Sequence, residues 1–197
     1  MGAIFQSLGR TVTAGIVLLV IIVLLTGALT GQYIAIDMGW SRFFMRWLHV
    51  LSGVMWIGLL WYFNFVQTPS MPKIPDEQKP AISKVIAPTA LFWFRWAALA
   101  TVVTGLLLAW MNGYLLQALA FTKGVHPIGI GMWLALIMAF NVWFIIWPNQ
   151  KKALGIVQVD ADAKAKAARI GMLTSRFNTM LSIPMLYCMV AQQNGGL

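Results

Sequence analysis

The sequence predicts an all-α integral membrane protein with five transmembrane helices: an N-terminal anchor helix, then a four-helix bundle made of two parallel tandem helix-pair repeats. Three observations predict it. Of 197 residues, 60% are hydrophobic and only 10% charged, against roughly a quarter charged in an ordinary soluble domain. Five apolar stretches approach the length of about 20 residues that a spanning helix needs. A pattern containing both histidines recurs at a fixed offset. The single cysteine, Cys188, excludes an internal disulfide, a CxxC metal knuckle and covalent attachment of a c-type haem.

The stretches fall at residues 13–34, 45–66, 91–111, 128–147 and 173–192. The first has an apolar run longer than a signal-peptide core and no small-residue cleavage site, which predicts an uncleaved anchor. Residues 1–41 then form the anchor and a periplasmic connector, and residues 42–197 the bundle, with repeat one at 42–111 and repeat two at 119–192. Between the second and third stretches, residues 67–89 hold five of the eight prolines, which predicts an extended, stiff strap. Residues 160–169 (DADAKAKAAR) offer an Asp cap, alanines and spaced lysines, which predicts a short helix running into the last span.

Basic residues resist translocation, so their distribution sets the orientation. Nine lie on the side of the N-terminus: Arg10, Lys73, Lys79, Lys84, Lys151, Lys152, Lys164, Lys166 and Arg169. Three, Arg42, Arg46 and Lys123, lie on the other. The N-terminus is therefore expected in the cytoplasm and the C-terminus in the periplasm of a bacterial inner membrane. The net charge of +9 reads as a topology signal plus attraction to anionic lipid, and no nucleic-acid partner is expected.

A shift of 77 positions aligns Arg46 with Lys123, His49 with His126, Met55 with Met132, Trp56 with Trp133, Phe63 with Phe140 and Asn64 with Asn141. His49 and His126 are the only histidines. His, the Trp seven residues on and the Phe at fourteen share one helical face. If that face looks inward, the two imidazoles stand at similar depth across a shared axis, with Gly53 allowing close approach. Six-coordinate haem iron accepts two such imidazoles, and Trp56 and Trp133 are placed to wall the macrocycle. The alternative is that each histidine is an interfacial residue bonded to a carbonyl or water. Zinc lacks further ligands at that depth. Copper has Met55, Met132, Met185 and Met189 to recruit, though Met at helical spacing also serves packing.

A second polar layer is expected nearer the cytoplasm: Asn64, Arg95, Asn141, Arg176 and Asn178. Either the arginines reach lipid phosphates by snorkelling, or with the amides they form a pocket for a planar anion or substrate. No carboxylate lies within a span, which argues against a proton relay built on Asp or Glu.

Residues 46–69 (RWLHVLSGVMWIGLLWYFNFVQTP), with 146–152 (IWPNQKK) and 175–189 (SRFNTMLSIPMLYCM), resemble the membrane domain of bacterial urate hydroxylases, the urate oxidase N-terminal domain family, in a stand-alone form. The resemblance spans roughly residues 42–190. It implies a multi-helix membrane domain associated with urate oxidation and coupled to a cytochrome c outside the membrane. These 197 residues contain no CxxCH, so the cytochrome is expected either to be absent or to reside on a separate polypeptide. The family pattern also implies histidines near Phe177 and Gln193, where this chain has none.

The expected function is an integral membrane redox module that binds b-type haem between His49 and His126 and passes electrons to a separate cytochrome. The alternative is a non-catalytic accessory subunit of a larger respiratory or photosynthetic membrane complex, with other membrane subunits as partners. As an enzyme it would be an oxidoreductase acting with a separate electron acceptor.

Overall fold

The computed structural model describes residues 2–196 and is helical, with no strand among them. The chain divides into two compact units, Met1–Ser41 and Arg42–Leu197.

In the first unit a helical turn, Gly2–Phe5, precedes helix α1, Leu8–Thr30. At 1.5 Å per residue, 23 residues extend about 34 Å, enough for the hydrocarbon core. Its aliphatic side chains are largely exposed, as suits a helix surrounded by lipid. Gly31 ends it in the left-handed region, φ 71°, its N–H bonded to the Gly27 carbonyl.

Five helices build the second unit, whose boundary falls in the first turn of α2. Helix α2 runs Met38–Lys73, α3 Lys79–Met111, the short α4 Leu115–Leu119, α5 His126–Ala153 and α6 Ala161–Asn194. The expected extended strap is absent: within 67–89 only residues 74–78 leave helical structure. The prolines are accommodated in another way. Proline removes an N–H and its ring clashes with the carbonyl four residues earlier. Three π-helical segments, Tyr62–Gln67, Ile82–Ile86 and Asn141–Ile146, lie just upstream of Pro69, Pro88 and Pro148. Each contains the residue that would clash, and the widened turn gives the ring its space.

The Asp cap predicted for residues 160–169 is present: Asp160 accepts from the Ala163 N–H at 2.7 Å and opens α6, which passes Pro184 as one helix.

Among the described residues, four helices are long and apolar enough to cross a membrane: α1, α2, α3 and α5. The expected fifth span lies within α6, which is of spanning length but is not one of the four. The reason is its polar side chains, which are turned to neighbouring helices. Ser175 accepts from Asn64, Asn178 accepts from Asn141, Ser182 accepts from Trp61, and Gln193 accepts from Arg46. Helix α5 is packed closely on both sides. A Cβ on Gly129 would stand 2.1 Å from the Ala118 carbonyl oxygen, and one on Gly131 would stand 3.1 Å from Cβ of Cys188. The apolar core joins Trp56, Ile57 and Leu60 of α2, Phe94 and Ala98 of α3, Met138 and Val142 of α5, and Met185 of α6.

The structure does not establish the expected repeat. Trp56 is fully buried, whereas Trp133 is 42% exposed. Helix α2 begins eleven residues ahead of His49, while α5 begins at His126 itself, with Pro127 setting its first turn. Residues equivalent in sequence therefore stand at different levels of their helices. The correspondence holds at Asn64 and Asn141: both lie in π-helical segments and both donate to α6.

Candidate functional site

A cavity of about 640 Å³ lies between α2, α3, α5 and α6, within the size range of small-molecule sites. Helix α2 supplies one face to it: Arg46, His49, Gly53, Trp56 and Ile57 line it at spacings of three and four residues. The opposing walls come from Leu108, Ile128, Met132, Ala135, Met185 and Met189. The lining is thus mostly apolar, with its few polar groups placed along α2 and at one end.

His49 is held by backbone. Its Nδ1 is 2.9 Å from the Thr101 carbonyl oxygen and 3.3 Å from the Thr104 hydroxyl. A carbonyl only accepts, so Nδ1 carries the hydrogen, and in the neutral ring the lone pair is on Nε2. Among the described residues the ring's hydrogen bonds are those of Nδ1, and none is made by Nε2. The ring lies on bare backbone, for a Cβ on Gly105 would stand 2.8 Å from His49 Cε1. An adjoining void of about 30 Å³ is bounded by His49, Met132 and Met189 among others. Trp56 is fully buried with its indole N–H unpartnered, and Trp61 donates to Ser182 at 3.0 Å.

Arg46, Tyr114, Gln193 and Asn194 form the polar end. Arg46 Nη1 donates to Gln193 Oε1 at 3.0 Å, and Arg42 Nε donates to the Met111 carbonyl at 2.9 Å. These bonds tie the start of α2 to the ends of α6 and α3. Burial pushes the Tyr114 phenol above its ordinary range, partly offset by the charge of Arg46.

The structure brings His49, Gly53 and Trp56 to the cavity and leaves His126 and Trp133 off it. His126 is exposed at the start of α5, and Trp133 donates to the Leu119 carbonyl at 3.0 Å. The expected convergence of the two imidazoles is therefore not seen.

The second polar layer divides. Asn141 Nδ2 donates to Asn178 Oδ1 at 2.8 Å, and the fully buried Asn178 donates to the Met138 carbonyl at 3.0 Å. Asn64 Nδ2 donates to the Ser175 hydroxyl at 2.8 Å and to the Leu60 carbonyl. These amides satisfy one another and the backbone, as interhelical contacts in lipid must. Arg95 lies with its guanidinium carbon 3.4 Å from the Trp147 ring centroid, and its Nε and Nη1 are buried without a hydrogen-bond partner. Arg176 is exposed. None of the five residues lines the cavity.

Arg46 was legible as a topology charge and as a member of the repeat, not as a lining residue, and Thr101 and Gly105 carried no motif. The signal for Gly105 is a glycine inside an apolar helix, where it lowers stability unless something needs the space. Among the described residues no three His, Cys, Asp or Glu side chains gather to hold a metal ion.

Residues 113–195 match the family model described as urate oxidase N-terminal. No curated protein and no solved structure matches the chain. The matched part includes α5 and α6, and with them Met132, Met185 and Met189 of the cavity wall. Over residues 113–195 the chain thus carries the sequence pattern of the urate oxidase N-terminal family, the family to which its IWPNQKK and SRFNTMLSIPMLYCM segments point.

Proposed function

We propose that the chain is a redox module of the bacterial inner membrane whose cavity holds b-type haem through His49, passing electrons to a separate c-type cytochrome on the side where α6 ends. In this reading α6 completes the membrane bundle as a fifth span. The observation that carries it is the orientation of one ring: Nδ1 fixed by the Thr101 carbonyl, and Nε2 unpartnered beside a mostly apolar cavity of about 640 Å³. A backbone-oriented imidazole is the usual support of an iron ligand. Gly53, Gly58 and Gly105 leave room for a flat ring system, and Trp56 closes the wall. When bound, haem supplies one-electron chemistry. The residues bind and orient it and exclude water. His126 has no part in this site.

The lining does not suit urate itself. Urate carries several N–H and C=O groups, each of which is costly to bury without a hydrogen-bond partner, and the cavity offers few. A role next to urate oxidation, by moving electrons, fits the lining better than a urate-binding role.

The test is the absorption spectrum of the purified full-length chain, expressed with haem available, and of His49→Ala and His126→Ala. The expected outcome is a Soret band in the wild type, retained in His126→Ala and lost in His49→Ala. A colourless wild type, or a band that persists in His49→Ala, overturns the reading.

A further inference from the structure

We propose that the cavity selects an amphiphilic acid: an apolar body lies along the α2 face from His49 to Trp61, and a carboxylate docks on Arg46 at the polar end. This rests on the reading of the cavity as a haem site, and names Arg46 as the residue that discriminates among its ligands.

Charge carries the argument. Arg46 lines the cavity three residues before His49, on the same face of α2. No acidic side chain among the described residues lines the cavity with it. The ion pair found among those residues joins Asp76, in the linker between α2 and α3, to Lys79, the first residue of α3. The cavity therefore presents one fixed positive charge with no counter-charge of its own. An uncompensated guanidinium beside an apolar space favours an anionic partner.

Geometry agrees. Arg46 is half-buried, and its Nη1 is fixed on Gln193 Oε1, so the guanidinium is held in place with its other N–H groups left for a ligand. A planar fork of donors matches a carboxylate. The neighbours on this rim, Tyr114, Gln193 and Asn194, are polar but uncharged and do not compete for the cation. Along α2, Arg46 and Trp61 are about 22 Å apart at 1.5 Å per residue. That length accommodates a large apolar body below the acid group. The acid end coincides with the end where α3 and α6 finish, so the charged group stays at the membrane border while the body enters the hydrocarbon depth.

The test is equilibrium binding to the full-length chain in neutral detergent, using haem b, which carries two carboxylates, and its dimethyl ester, which carries none. The wild type is expected to prefer the acid by about tenfold or more, the range of a hydrogen-bonded charge pair. Arg46→Gln is expected to abolish the preference by weakening binding of the acid, and Arg46→Lys to retain part of it. Gln193→Glu keeps Arg46 but supplies an internal counter-charge, and is expected to lower affinity for the acid alone. Equal binding of acid and ester by the wild type overturns the proposal, assigns Arg46 to lipid phosphate at the rim, and leaves the haem reading standing. A preference that survives in both Arg46→Gln and Gln193→Glu also overturns it. Failure of both probes to bind overturns this proposal and the haem reading together.

Discussion

The Thr101 backbone carbonyl orients His49: Nδ1 stands 2.9 Å from that oxygen, nearer than the 3.3 Å to the Thr104 hydroxyl, four residues before Gly105, on whose bare backbone the ring lies. Helix α3 thus acts on the imidazole twice, once by accepting its proton-bearing nitrogen and once by leaving out a side chain.

This arrangement predicts a specific sensitivity. Gly105→Ala puts a Cβ 2.8 Å from His49 Cε1, and either the ring or the helix must shift, at a cost of about 1–3 kcal/mol. The expected result is weaker retention of the cavity ligand and lower thermal stability in detergent. Thr104→Ala removes the 3.3 Å contact of the hydroxyl to Nδ1 together with the hydroxyl's own bond to the Ala100 carbonyl at 2.6 Å, but leaves the Thr101 carbonyl in place, and is expected to cost less than about 1 kcal/mol. Thermal unfolding of both variants, with ligand absorbance followed in parallel, checks the order. Equal effects would contradict it.

The Asn141–Asn178 pair predicts non-additivity. Asn178→Leu leaves the Met138 carbonyl and the Asn141 amide without their partner, and the loss is expected at about 1–2 kcal/mol. Asn141→Leu removes one bond from the same pair. In the double variant both amides are gone, so the summed single losses should exceed the double loss by about 1 kcal/mol. Unfolding free energies of the four proteins in one detergent close the cycle, and strict additivity would show that the amides act independently.

Tyr114 predicts alkaline behaviour. Its phenol is raised chiefly by burial, with Arg46 pulling the other way. The folded state therefore favours the protonated phenol. The corresponding stability is fully present below the unfolded value of about 10 and is lost as pH rises through the higher folded value. Tyr114→Phe should flatten the fall in stability above pH of about 10, and Arg46→Gln should move the phenol further up. Difference absorbance of tyrosinate across an alkaline titration reports both. A downward shift in Arg46→Gln would reverse the assigned sign.

The sequence by itself determined the membrane class, four of the spans, the Asp160 cap and the polar role of Asn64, Asn141 and Asn178. Apolar run length, capping chemistry and the cost of an unpaired amide in lipid are local quantities, fixed by neighbouring residues. What only the tertiary structure decided is which side chains share a space. Equivalent sequence positions, His49 and His126, parted: His49 lies eleven residues inside α2 and lines the cavity, whereas His126 opens α5 and is exposed. The prolines of 67–89, read as a strap, became helix because a π-turn upstream gives each of Pro69 and Pro88 its room. Arg46, Thr101 and Gly105 met at one cavity from two different helices, and Gly129 came against the Ala118 carbonyl, because packing depends on distances between elements that sequence periodicity leaves free.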